Sequence, residues 1–231
     1  MANQRTDRLS LDDGTMDVHV WLPESGHGPG LVLIQEIFGV GPYIRDVAAR
    51  LADAGYVVAA PDVFWRFAPG WESGHDPAGL EASMAQAANL DPETAVADCV
   101  ATLGHLRSFA APAGVMGFCL GGTLACGVAV TADPAVCVAY YGSGVPAMVG
   151  QLDQIECPTL FHFGSDDAFI PGEGVEALSA AIDGRRDLVL NVEQAGHAFD
   201  NHHSEMFYAE GAARAAWAKT TAFLAQHLPT G

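Results

Sequence analysis

The feature that most constrains this chain is a repeated alternation of short apolar runs with segments of helical period. Several runs are rich in valine and isoleucine, and they cover residues 31–35, 56–60, 114–118, 136–141, 159–163 and 188–192. Continuous apolar strands that alternate with helices indicate a parallel sheet covered on both faces. We therefore expect an α/β fold with a doubly wound, mostly parallel sheet, helices on both faces, and ligands bound at the carboxyl ends of the strands.

The domain organisation is expected to be simple. No internal repeat and no Pro/Gly/Ser-rich linker divides the chain, so residues 1–231 are predicted to form a single domain. One segment stands apart, because residues 63–90 carry four Phe and Trp side chains among glycines and prolines. A long aromatic-rich loop at the carboxyl end of a strand is either a lid or substrate wall, or only a cover for a sheet edge.

Charge and cysteine content limit the classes of partner. The chain has 28 acidic residues against 10 Lys and Arg, a net charge of −18. This disfavours binding to nucleic acids or anionic membranes, since both need a basic surface. No apolar run approaches the ~20 residues of a membrane span, and the first residues do not read as a secretory signal. Five cysteines without CxxC spacing indicate neither a disulfide framework nor a cysteine zinc site, so a cytoplasmic location is expected.

The strongest local motif is Gly-Phe-Cys-Leu-Gly-Gly at 117–122, between a predicted strand and a predicted helix. It has the form of the G-x-S-x-G nucleophile elbow with Cys119 in place of serine. Small residues are needed two positions before and after the nucleophile, because strand and helix pass closely at this turn. A helix N-terminus favours thiolate over thiol, so Cys119 is the predicted nucleophile. The other four cysteines are interpreted as small buried hydrophobes.

A cysteine nucleophile needs a base and a group that orients it, in the chain order nucleophile, acid, histidine for this type of sheet. Asp166 and Asp167 follow the predicted strand at 159–163, and His197 follows the last predicted strand. All these groups then come from loops on one edge of the sheet. Either aspartate could instead be a turn residue or a helix cap, and His197 a plain loop histidine.

Glu36 is a fourth candidate, at the carboxyl end of the early strand. It either bonds a neighbouring loop or controls the protonation of Cys119, since a nearby carboxylate opposes thiolate formation. The backbone N–H groups of Ile37 and Leu120 are predicted to form an oxyanion hole. The histidines at 197, 202 and 203 match no familiar ligand spacing, so a metal site is not expected.

Taken together, the motifs of the chain closely resemble those of the dienelactone hydrolase (carboxymethylenebutenolidase) family of the α/β-hydrolase fold, from about residue 15 to residue 228. The matching segments are Gln-Glu-Ile-Phe-Gly at 35–39, Ile-Arg-Asp at 44–46, Ala-Gly-Tyr at 54–56, Pro-Asp at 61–62, the elbow at 117–122, Tyr-Tyr-Gly at 140–142 and Ala-Gly-His-Ala-Phe at 195–199. The cysteine elbow combined with the glutamate strand separates this family from ordinary serine esterases.

The resemblance implies an activity and a set of roles. The family hydrolyses dienelactones, cyclic enol esters from catechol breakdown, without a cofactor. Its Cys-His-Asp triad maps onto Cys119, His197 and Asp167. Asp167 is preferred to Asp166 because in the family two residues separate the acid from an Ile-Pro or Val-Pro pair, as in Asp167-Ala168-Phe169-Ile170-Pro171. Glu36 matches the residue that holds the thiol in a resting state. The implied hydrolase acts on small esters or lactones; a non-hydrolytic binder or thiol sensor on the same fold is the alternative. Separately from the resemblance, we expect a monomer or small homo-oligomer.

The substrate contacts are less clearly defined. Well-studied members carry an arginine four residues after the catalytic histidine, where this chain has Asn201, whereas Arg66 matches the family's other substrate-binding arginine. Two substrate classes are therefore considered: dienelactone itself, and an ester or lactone that carries no carboxylate. The residues expected to contact substrate are Phe38, Trp65, Arg66, Tyr141, Phe199 and Asn201.

Overall fold

The computed structural model describes residues 3–231, which contribute eight strands to one sheet. In chain order the strands are β1 (Asn3–Leu11), β2 (Gly14–Leu22), β3 (Gly30–Ile34), β4 (Val57–Pro61), β5 (Ala113–Phe118), β6 (Cys137–Tyr140), β7 (Thr159–Gly164) and β8 (Leu188–Glu193). Their order across the sheet is β1-β2-β4-β3-β5-β6-β7-β8. All pairs from β4 to β8 are parallel, and β2 pairs antiparallel with both β1 and β4.

Within residues 3–231, five α-helices and one long 3₁₀ segment lie between strands, and a sixth α-helix follows the last strand. The α-helices are α1 (Pro42–Asp53), α2 (Pro77–Ala87), α3 (Pro92–Arg107), α4 (Leu120–Ala132), α5 (Gly172–Ala181) and α6 (Glu210–His227), and the 3₁₀ segment spans Val145–Gln154. Every residue of β3, β4, β5, β6 and β7 is buried, as expected when helices cover both faces. The mostly parallel α/β sheet with helices on both faces and the six predicted strands are therefore confirmed, with strand boundaries shifted by one or two residues.

Two features differ from the sequence-based expectation. The antiparallel hairpin of β1 and β2 was not predicted, because most of β1 is exposed and its sequence has no apolar run. The segment at 63–90 is not a structureless loop, since α2 occupies its second half. Asp76 caps this helix by accepting a hydrogen bond from the Gly79 N–H at 2.7 Å, and Pro77 is its first residue.

Candidate active site

Cys119 lies on a strained turn between β5 and α4. Its φ of 54° is in the left-handed region that non-glycine residues rarely adopt. The turn needs glycine on both sides, because a Cβ on Gly117 would lie 2.0 Å from the Gly121 carbonyl oxygen and one on Gly121 would lie 2.3 Å from that of Ile34. The Cys119 side chain is thereby presented above the carboxyl ends of the central strands.

His197 and Asp167 reach Cys119 from the loops after β8 and β7. The Nε2 atom of His197 is 3.1 Å from the Cys119 Sγ, and its Nδ1 atom is 2.7 Å from Asp167 Oδ2. The other Asp167 oxygen accepts a hydrogen bond from the Phe169 N–H at 2.8 Å. Asp166 is exposed, and its side chain accepts a hydrogen bond from the neighbouring Ser165 hydroxyl and does not contact His197. The structure thus brings together one of the two candidate aspartates with the histidine and the thiol.

The thiol is protonated in this arrangement. Burial and the adjacent Glu36 charge raise the pKa of Cys119 well above its usual range, although backbone N–H groups of Leu120 and Ile37 lower it by hydrogen bonding to the sulfur. The N–H of Leu120 at the start of α4 favours the thiolate, but desolvation has the larger effect on the pKa of the resting thiol. The same two N–H groups point to where an oxyanion on an attacked carbonyl would lie.

Glu36 is a buried carboxyl with an incomplete set of partners. Its Oε2 accepts a hydrogen bond from the Asn201 amide at 2.7 Å, and Oε1 has no hydrogen-bond partner among the described residues. The imidazole Nε2 of His75 is 3.8 Å from Oε2. Burial raises the pKa of Glu36 to about 8, and the charge of Asp200 also raises it, while the Asn201 bond lowers it. Near neutral pH the carboxyl is mostly protonated.

Three predicted substrate contacts do not border the cavity that contains Cys119. Asn201 is fully buried and is occupied by Glu36, so it positions that carboxyl. Arg66 is held by Asp98 and by Asp13, whose Oδ2 is 2.6 Å from the Arg66 Nε. The Trp65 indole also donates to Asp98, at 3.0 Å. In the folded chain these three polar side chains are bound by carboxyl groups, and their contact with substrate stays a prediction.

Tyr141 and Phe199 are fully buried and do not border the cavity, and their contact with substrate stays a prediction. The Tyr141 ring lies 5.2 Å from the His197 ring, and the Phe199 ring packs edge-on against Tyr141 at 5.2 Å. Tyr141 thus packs against the ring of His197, Phe199 packs against Tyr141, and neither residue lines the cavity. Of the six expected substrate contacts, Phe38 is the one that borders the cavity.

A cavity of about 220 Å³ opens above Cys119. Its polar lining comes from Glu36, Ser143 and His197, and its apolar lining comes from Ile37, Phe38, Leu80, Met84, Ala87, Leu120, Phe169, Ala198 and Phe207. Neither lysine nor arginine contributes to this lining among residues 3–231. Sequence reasoning missed the α2 residues Leu80 and Met84 because that helix was taken as loop. It also missed Phe169 and Phe207, although each follows closely on a predicted site residue in the chain.

Comparisons with known proteins all lead to one family and cover nearly the whole chain. The model of the dienelactone hydrolase family matches residues 16–228. A carboxymethylenebutenolidase from a Pseudomonas species is 35% identical, with 98% of each chain covered. One from Rhodococcus opacus is 33% identical over 90% of this chain and 85% of its own. Among solved structures, the fold matches the dienelactone hydrolase of Anabaena variabilis with a TM-score of 0.72 at 15% identity, covering 98% of this chain and 99% of that one.

Proposed function

Because the chain belongs to the dienelactone hydrolase family, we propose that it hydrolyses small esters or lactones through a thioester on Cys119. The observation that carries this proposal is the hydrogen-bonded series at the floor of the cavity. The distances are 3.1 Å from Cys119 Sγ to His197 Nε2 and 2.7 Å from His197 Nδ1 to Asp167 Oδ2. A nucleophile, a base and a group that orients the base within hydrogen-bond reach are the requirements of covalent acyl transfer.

The first half-reaction forms the thioester. His197 Nε2 accepts the thiol proton as Sγ bonds to the substrate carbonyl carbon, and Asp167 stabilises the resulting imidazolium. The N–H groups of Ile37 and Leu120 donate to the oxygen that becomes negative. Collapse of this intermediate breaks the carbon–oxygen bond of the ester, and His197 returns its proton to the departing oxygen.

The second half-reaction restores the thiol. His197 takes a proton from water, whose oxygen attacks the thioester carbonyl. The carboxylic acid is released as the carbon–sulfur bond breaks, and the proton on His197 returns to Sγ. Because the thiolate is itself a good leaving group, the first step succeeds best when the ester oxygen departs as a stabilised enolate or phenolate. Enol lactones and aryl esters are therefore favoured over amides.

The lining of the cavity defines the substrate class further. Its walls are mainly apolar, and Arg66 is engaged by Asp98 and Asp13 outside it. A substrate carboxylate would find no guanidinium group there, and burying an unpaired charge is costly. The relatives named carboxymethylenebutenolidases point to dienelactone-type enol lactones. Within that chemistry, we propose that this enzyme prefers uncharged esters and lactones.

The cellular setting is also a proposal. We expect a cytoplasmic enzyme that acts as a monomer or small homo-oligomer, without nucleic-acid or membrane partners. Support comes from the net charge of −18 and from five cysteines that form no disulfide. Within residues 3–231, no helix is both long enough and apolar enough to cross a membrane. The proposed domain comprises residues 1–231, with α2 and its flanking loops as a wall or lid over the cavity.

The nucleophile is tested by comparing Cys119→Ser with Cys126→Ala, which alters a fully buried cysteine in the same helix. We expect kcat/KM for p-nitrophenyl acetate and an enol lactone to fall at least about 100-fold in Cys119→Ser and to stay near wild type in Cys126→Ala. Rapid quenching and mass spectrometry should find the acyl group on the peptide containing Cys119. Undiminished turnover by Cys119→Ser would overturn the assignment, and a wild-type protein that binds esters without cleaving them would favour the binding-protein alternative.

A further inference from the structure

Outside the cavity, a carboxylate from α1 meets two adjacent histidines from the loop after β8. Asp46 Oδ2 lies 3.1 Å from His202 Nε2 and 2.8 Å from His203 Nε2. We propose that Asp46, His202 and His203 form a binding site for a divalent transition-metal ion of the zinc or nickel class. This inference is independent of the proposed hydrolysis, since none of the three residues lines the cavity above Cys119.

The geometry of the three side chains suits a single ion. Their ligand atoms all lie within 4.8 Å of one another, and none of the three residues is buried. In a tetrahedral zinc site the bonds of ~2.0–2.1 Å put neighbouring ligand atoms about 3.3 Å apart. The two measured nitrogen–oxygen distances are within about half an ångström of this value, so an ion can enter with small rotations of exposed side chains. Because all three residues are exposed, water can supply the fourth ligand.

The donor atoms select the kind of ion. Imidazole nitrogens suit zinc, nickel and copper, whereas magnesium and calcium prefer oxygen ligands throughout. The Asp46 carboxylate supplies the third donor atom, and its Oδ2 already lies within hydrogen-bond distance of both imidazole Nε2 atoms. On binding, each Nε2 lone pair goes to the ion, and the proton that it shared with Asp46 moves to Nδ1 or to solvent.

The tertiary structure creates this cluster, because Asp46 precedes His202 by 156 positions in the chain. The spacing of the histidines alone gave no familiar ligand pattern, and His197, which was considered with them, is committed to Cys119 and Asp167. The proposed metal site also lies next to Asn201, the residue that holds the Glu36 carboxyl in place. The His203 N–H donates to Asn201 Oδ1 at 3.0 Å, and the Asn201 amide donates to Glu36. An ion would therefore fix α1 against the segment that holds Asn201.

The experiment is a calorimetric titration of the full-length, metal-free protein with zinc chloride, nickel chloride and magnesium chloride. It is carried out in the wild type and in Cys119→Ser, so that zinc binding by the active-site thiol is recognised. In the Cys119→Ser background, Asp46→Asn and the double change His202→Ala with His203→Ala remove ligands. His27→Ala removes an exposed histidine elsewhere and serves as the matched control. Circular dichroism checks that each variant is folded, and thermal unfolding with and without zinc provides a second readout.

We expect one zinc or nickel ion per chain in the Cys119→Ser protein, no heat from magnesium, and a rise in Tm with zinc. The ligand variants should weaken the dissociation constant by at least about tenfold and abolish the rise in Tm, while His27→Ala changes neither. The proposal is overturned if Cys119→Ser binds no zinc, if the ligand variants bind as tightly as their parent, or if His27→Ala lowers binding as much as they do.

Discussion

At the scale of single residues, the protonation state of Cys119 is decided by a competition that the motif alone does not resolve. A helix N-terminus favours the thiolate, but the sulfur is surrounded by protein and lies beside Glu36. Desolvation is the larger effect, so the resting nucleophile is a thiol hydrogen-bonded to His197. Nucleophilicity is then generated by proton transfer during attack, which protects the thiol from reaction in the absence of substrate.

Glu36 gives this competition a pH dependence. Burial raises its pKa to about 8, so below that pH the carboxyl is mostly neutral, and above it the negative charge raises the pKa of the Cys119 thiol further. In Glu36→Gln that charge cannot form. We expect iodoacetamide to alkylate Cys119 at similar rates in wild type and Glu36→Gln near pH 6, and faster in the variant above pH 8.

The alkylation rate reports on Cys119, because the other four cysteines are buried and Cys119 is partly accessible. Glu24→Gln, at an exposed position, is the control and should follow the wild-type profile. Equal rates at pH 9, or slower alkylation of Glu36→Gln there, would show that the Glu36 charge does not oppose thiolate formation.

The two adjacent aspartates provide a matched pair. Asp167 accepts a hydrogen bond from His197, whereas Asp166 is exposed and lies outside the hydrogen-bonded series. Asp167→Asn should lower kcat on the order of 10²- to 10⁴-fold, because the imidazolium loses its partner and the tautomer is no longer fixed. Asp166→Asn should retain kcat within about twofold. Steady-state kinetics with one aryl ester measures both, and a reversed order would exchange the assignments.

At the scale of elements, α2 defines the cavity more than the aromatic residues that precede it. Leu80, Met84 and Ala87 lie on one side of this helix and line the cavity, whereas Trp65 and Arg66 are bound to Asp98 of α3. The segment at 63–90 therefore has two parts with different surroundings. Its first part is attached to α3, and its second part forms the apolar wall above the thiol.

A cation placed on that wall should change substrate preference. Met84 is half exposed and borders the cavity, while the adjacent Ala85 is exposed and does not border it. In Met84→Arg, we expect the ratio of kcat/KM for a carboxylated aryl ester to that for its uncharged analogue to rise about tenfold, through a charge-assisted hydrogen bond. Ala85→Arg should leave the ratio near wild type. An equal rise in both variants would point to a long-range charge effect, and no rise in either would remove α2 from the substrate wall.

At the scale of the whole molecule, the net charge of −18 acts on anionic substrates before they reach the cavity. Repulsion of this kind lowers the local concentration of anions and slows their association, and salt screens it within ~10 Å at 0.1 M. The long-range field and the apolar lining of the cavity thus both disfavour the binding of anionic substrates. Both favour uncharged esters over carboxylates.

The contribution of the field is separable by ionic strength. Between about 20 mM and about 200 mM NaCl, we expect kcat/KM for a carboxylated aryl ester to rise severalfold and that for its uncharged analogue to stay constant. The measurement is a pair of initial-rate series at constant pH. A fall for the carboxylated ester would instead indicate that a cationic group attracts it.

The sequence by itself determined the parallel sheet, the elbow at Cys119 and the positions of His197 and Glu36. These follow from local rules: apolar runs specify buried strands, and a nucleophile between a strand and a helix needs glycine around it. It did not determine the β1–β2 hairpin, whose first strand is mostly exposed and lacks an apolar run.

The tertiary structure alone decided which polar groups are free to contact substrate. Arg66 matched a substrate-binding arginine of the family and Asn201 replaced another, but in the folded chain Asp13 and Asp98 bind Arg66, and Asn201 binds Glu36. It also brought Asp46 to His202 and His203, and α2 to the cavity. The physical reason is that strand and helix propensities are local, whereas hydrogen-bond partners and desolvation are set by residues distant in the chain.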